Sequence, residues 1–211
     1  MSFFDELFGE LPGRFPDEFP GEFPGEQRVM AILRGMDPTR TVELAERAWG
    51  LGIRAVEVPI ETPAAEPSLR AAVRAGGDRP VGAGTVVTSY AVRAAADAGA
   101  AFTVAPGLDA DVAAASAEAG MPHLPGVASP SEIQHAVRLG LVWLKAFPAS
   151  VLGTDWFAAM RGPFPTARLV ATGGVNARNA SEYLAAGASV VAVGSALEDE
   201  SQLPALAELL A

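Results

Sequence analysis

From Val29 onward, short β-branched or apolar runs alternate with Ala-rich segments whose apolar positions recur at helical spacing. The runs predict strands at residues 29–33, 55–59, 81–85, 101–105, 123–126, 141–147, 168–172 and 189–194. Between them the spacing predicts helices, among them 38–49, 89–98, 109–119, 130–139 and 177–186. Ser89, Asp109, Ser129 before Pro130, and Asn176 stand where N-terminal caps belong. Gly99, Gly120, Gly140 and Gly187 stand where helices stop. The last helix is expected over 203–210.

Strict strand–helix alternation with short connections implies a parallel sheet covered by helices, and eight units imply an α/β fold of the (β/α)8 TIM-barrel type. It would be compact, one catalytic domain over residues 27–211. An open doubly wound sheet is the alternative, but it calls for a Gly-rich dinucleotide loop after its first strand. Here Leu33 is followed by Arg34-Gly35-Met36. A barrel carries its chemistry at the C-terminal ends of its strands. The residues at those ends are Arg34, Glu57, Thr85, Lys145, Thr172 and Ser195, with Pro106, Phe147, Gly173, Gly174 and Gly194 among them.

The first 26 residues break the pattern. Residues 11–26 read LPGR-FPDE-FPGE-FPGE, with proline at every fourth position. Proline on every turn removes helical hydrogen bonds, so turns or extended backbone are expected. One reading is a flexible N-terminal extension over residues 1–26. The other is a docking segment for a partner, with Phe15, Phe19 and Phe23 as anchors. Ahead of the repeat, Phe3-Phe4-Asp5-Glu6-Leu7-Phe8 predicts a helical turn or two.

Charge follows the same division. The net charge is −10, and residues 1–26 carry seven acids against one Arg. An acidic chain is a poor partner for nucleic acid or an anionic membrane. No Cys is present and His123 and His135 are the only histidines, so neither thiol chemistry nor a metal cofactor is expected. No run of 18 apolar residues occurs, and Asp5, Glu6 and Glu10 fall in the first ten. A membrane span and a secretory signal are therefore not expected, which points to the cytoplasm.

The basic residues carry the sharper signal. Fourteen of fifteen are Arg and one, Lys145, is Lys. It sits in Leu-Val-Trp-Leu-Lys-Ala-Phe, where Leu141, Trp143, Lys145 and Phe147 share one face by strand alternation. Burial favours the neutral amine over the ammonium, and a neutral amine forms a Schiff base with a ketone or aldehyde. A lysine that merely reaches the rim is the competing reading, but Arg serves that purpose equally well. Glu57, in another apolar run, is placed to relay protons or to pair with Arg34 or Lys145. Thr172-Gly173-Gly174 and Gly194-Ser195 end the last two strands, where barrels commonly bind phosphate.

Taken together, AILRG (31–35), VEVPIETP (56–63), VGAGTV (81–86), VAPGL (104–108), LPGVASPSE (124–132), LKAFPAS (144–150), GPFP (162–165), ATGGVN (171–176) and VGSAL (193–197) resemble the 2-keto-3-deoxy-6-phosphogluconate aldolase family of class I aldolases. The resemblance covers residues 28–198. It implies a Schiff-base barrel, commonly a homotrimer, that needs no cofactor. Its members cleave a phosphorylated keto acid to pyruvate and glyceraldehyde 3-phosphate, and some cleave 4-hydroxy-2-oxoglutarate or the galactonate epimer. By the same resemblance Lys145 is the Schiff-base lysine and Glu57 the acid/base. Arg34 binds the substrate carboxylate, and Thr85, Pro106 and Phe147 line the pyruvate pocket. Thr172, Gly173, Gly174, Gly194 and Ser195 meet the distal end and its phosphate. Thr172 favours the gluconate-type substrate. Some members carry Arg where this chain has Glu61. A different class of reading is a non-catalytic phosphate-ligand or assembly protein that uses the Phe-Pro repeat to recruit a partner.

Overall fold

The computed structural model describes residues 2–8 and 28–210. Helix α1 (Phe3–Phe8) comes first, and strands and helices alternate from β1 (Val29–Ile32). The series runs α2 (Pro38–Gly50), β2 (Ala55–Pro59), α3 (Glu66–Gly76), β3 (Val81–Gly84), α4 (Ser89–Ala98), β4 (Phe102–Val104) and α5 (Ala110–Glu118). It continues through β5 (His123–Leu124), β6 (Gly126–Val127), α6 (Pro130–Arg138), β7 (Trp143–Ala146), α7 (Ala149–Leu152) and α8 (Thr154–Arg161). It closes with β8 (Arg168–Thr172), α9 (Ala180–Ala185), β9 (Val190–Val193) and α10 (Leu203–Glu208). The repeat at 11–26 lies outside the described residues.

All strand pairs are parallel, in the order β5-β4-β3-β2-β1-β9-β8-β7-β6. The two ends of this ladder are halves of a single expected strand, separated at Pro125. Proline has no N–H to donate, so the ladder breaks there. β5 pairs back to β4 and β6 pairs forward to β7, while the Pro125 carbonyl accepts from Lys145 N at 2.8 Å. The expected (β/α)8 barrel is therefore nearly closed and built from nine strand segments.

Among the described residues, apolar side chains form two clusters. The larger lies between strands and helices, with Leu44, Ile53, Leu69, Ile133, Leu144 and Phe157 fully buried. The smaller fills the barrel interior, where Met30, Phe102, Leu124, Trp143 and Val170 meet Phe4, Leu7 and Phe8 of α1. The N-terminal helix thus packs into the barrel rather than standing apart from it. Asp5 adds a polar tie, accepting hydrogen bonds from Trp143 Nε1 and Arg168.

Asp109 and Ser129 cap α5 and α6 as expected. The cap of α4 is Thr88 instead of Ser89, because the extended backbone of Thr88 aims its hydroxyl oxygen at Ala91 N. Asn176 caps a turn one step upstream of α9, accepting from Arg178 N, so that helix starts later than the spacing implies. α10 ends at Glu208, two residues short of the expected stop. No helix among the described residues is long and apolar enough to cross a membrane.

Candidate active site

Alternation along β7 sends Leu144 and Ala146 to the helix layer and Trp143 into the barrel. Lys145 follows Trp143 inward and is 2% exposed. Its Nζ lies 3.7 Å from Glu57 Oε1, reaching across from β2, and 5.3 Å from the centre of the Phe147 ring. Glu57 is fully buried, and among the described residues neither of its carboxylate oxygens has a hydrogen-bond partner. The carboxylate therefore stands within ion-pair reach of the Lys145 amine.

Above this pair opens a cavity of about 390 Å³ at the C-terminal ends of the strands. Arg34, Lys145, Phe147, Thr172, Gly173, Gly174, Gly194 and Ser195 line it, all named by the strand-end reading. Three expected residues are not on its wall. Glu57 sits behind Lys145, Thr85 acts through Arg34, and the Pro106 carbonyl packs against Gly126 of β6. Met36, Asn176 and Glu198 line the cavity without having been singled out for it. Glu198 lies one turn past Gly194-Ser195, and that spacing was the available signal.

The wall has two chemically distinct ends. At one, Thr85 Oγ1 accepts a hydrogen bond from Arg34 Nη2 at 3.0 Å, and Glu61 Oε1 lies 3.5 Å from Arg34 Nη1. Among the described residues Thr85 is the non-glycine residue with positive φ, at 58°. A β-branched residue there costs roughly 1–2 kcal/mol, and the strain turns the hydroxyl toward the arginine. At the other end, Gly173 and Gly174 have φ of 93° and 79°. A methyl group on Gly174 would lie 2.5 Å from Ser150 Cβ, and one on Gly173 would lie 3.1 Å from the Phe147 ring. Only glycine fits this turn. Gly194 and Ser195 open a short 3-10 turn beside it. The cationic side chains on the cavity wall are Arg34 and Lys145, and Glu198 contributes an acid.

The family model described as KDPG and KHG aldolase matches residues 23–208. A 2-dehydro-3-deoxy-phosphogluconate aldolase of Treponema pallidum is 37% identical, covering 81% of this chain and 89% of that protein. A probable 2-dehydro-3-deoxy-6-phosphogalactonate aldolase of Rhizobium meliloti is 36% identical, covering 82% of each. Among solved structures, a KDPG aldolase from Legionella pneumophila, with pyruvate captured as a covalent carbinolamine, superposes with a TM-score of 0.76 at 30% identity. That match covers 87% of this chain and 92% of the other.

Proposed function

Because the chain belongs to the KDPG and KHG aldolase family and is a carbon–carbon lyase, we propose that it cleaves 2-keto-3-deoxy-6-phosphogluconate to pyruvate and glyceraldehyde 3-phosphate through a Schiff base on Lys145. The observation that carries this reading is the chain's one lysine, buried 3.7 Å from a buried carboxylate at the floor of the cavity.

The neutral amine of Lys145 adds to the C2 ketone of the substrate; the carbinolamine hydroxyl takes a proton from solvent water and leaves as water, giving an iminium. Glu57 takes the proton of the C4 hydroxyl, through water, as the C3–C4 bond breaks. The bonding pair passes into the iminium and leaves an enamine, while the aldehyde departs. Return of a proton to C3 and hydrolysis release pyruvate and restore the lysine. Arg34, held by Thr85, meets the substrate carboxylate, and Phe147 packs beside the reacting carbon. Thr172 faces the sugar hydroxyls, and the backbone of Gly173, Gly174 and Gly194 with Ser195 receives the phosphate.

Borohydride added with pyruvate is expected to fix a reduced three-carbon adduct on Lys145, located by peptide mass spectrometry. Absence of the adduct would remove the mechanism. Glu57→Gln should leave trapping intact while lowering kcat by roughly 10²–10⁴. The same chemistry on the galactonate epimer or on 4-hydroxy-2-oxoglutarate is the second reading. The galactonate epimer is favoured by the phosphogalactonate relative, and 4-hydroxy-2-oxoglutarate, which carries no phosphate, by Glu198, an acid at the end assigned to phosphate. The ratio of kcat/KM across the three substrates decides between them.

A further inference from the structure

Strand β3 reads Val81-Gly82-Ala83-Gly84. Val81 and Ala83 pack into the helix layer, so both inward positions of the strand are glycine. Neighbouring strands fill the space these two leave. A methyl group on Gly82 would overlap the ring of Phe102 from β4. One on Gly84 would overlap Glu57 Oε1 and lie 2.7 Å from Glu57 Cγ and Cδ. The backbone of Glu57 is in register with Gly82, while Gly84 pairs with Pro59. The Glu57 side chain therefore leans across β3 and along it toward the C-terminal face. That lean ends 3.7 Å from Lys145 Nζ.

No hydrogen bond from a described residue holds the Glu57 carboxylate. Its rotamer is set by its ion pair with Lys145 and by the surfaces it packs on, and one of those is the bare backbone of Gly84. Backbone conformation does not demand glycine here, since the φ of Gly84 lies outside the left-handed region. Within a strand, glycine weakens pairing relative to a residue with a side chain. The cost is accepted for room.

We propose that Gly84 is a positioning residue for the acid/base carboxylate: its missing side chain forms the slot that holds Glu57 beside Lys145. This rests on Glu57 transferring the proton, as assigned above. A methyl group at residue 84 meets Glu57 first, and displaces its carboxylate from Lys145.

The test is a cycle of wild type, G84A, E57A and the double variant. Three readouts are taken: kcat for cleavage, borohydride trapping of pyruvate, and solvent deuterium exchange into the pyruvate methyl group. G84A is expected to keep trapping while losing methyl exchange and kcat together, by about 100-fold. Alanine at residue 57 removes every Glu57 atom that the methyl group would meet, so adding G84A to E57A should cost less than about three-fold. A full additive loss in the double variant, or G84A within about three-fold of wild-type kcat, would overturn the proposal. If G84A fails to fold, the double variant should fold and run at the E57A rate. A double variant that is equally unfolded counts against the slot. Failure of wild type itself to trap pyruvate would instead remove the Schiff-base reading, a separate outcome.

Discussion

Arg34 is shared between Thr85, at 3.0 Å, and Glu61, at 3.5 Å. Its side chain is half exposed, so its pair with Glu61 contributes little to stability. On the role proposed for Arg34 the pair matters more for binding, because a substrate carboxylate would compete with Glu61 for the same guanidinium. Removing that competitor should help. Glu61→Gln is expected to lower KM for the keto acid by up to about five-fold, the size of an exposed ion pair, with kcat unchanged. Steady-state kinetics checks this, since a change in KM alone marks binding shared by ground and transition states. An unchanged KM would show that Glu61 does not compete. Arg34 and Lys145 were legible in the sequence because strand ends in a barrel share one face, and Lys145 also because it is unique. The slot for Glu57 was not, because it depends on an inward glycine of one strand meeting a side chain from its neighbour.

At the scale of elements, the junction of β4, β5 and α5 holds a buried polar chain. Thr103 Oγ1 lies 2.8 Å from both Ser116 Oγ and His123 Nδ1, and His123 is 5% exposed. Burial lowers the His123 pKa from 6.5 to about 4, against a smaller opposing pull from the Asp109 charge. The unfolded chain then binds a proton between about pH 6.5 and 4 that the folded chain refuses. Stability from this residue is complete above that window and is lost as pH falls through it. Urea unfolding at pH 7 and pH 4 should show wild type losing about 3 kcal/mol more than His123→Asn. Equal losses would mean that the imidazole is not held neutral. The strands and most helices were readable because each is punctuated locally by caps and stops, as Asp109 and Gly99 do. The seating of α1 was not readable, since Phe4 and Phe8 meet Trp143, more than 130 residues away in the chain. Likewise the break at Pro125 shows only once β5 and β6 are seen pairing in opposite directions.

For the molecule as a whole, the charge of −10 is concentrated in residues 1–26, which hold seven acids against one Arg. That segment is not uniform in role. Phe3–Phe8 closes the interior cluster, so deleting all of residues 1–26 would remove core together with repeat. The informative variant keeps α1 and replaces residues 11–26 with a Gly/Ser linker of equal length. Every residue placed in the candidate site comes from 28–210, and the barrel floor from 2–8. The linker variant should therefore keep wild-type kcat/KM and thermal stability. The family resemblance also implies a trimer, and closed threefold assembly would give about 65 kDa from a 21.7 kDa chain. Light scattering should find that mass for wild type and variant alike. A fall to the monomer mass in the variant alone would assign the repeat to assembly. Unchanged mass with loss of a partner captured by wild type would assign it to docking, with Phe15, Phe19 and Phe23 the residues to substitute next.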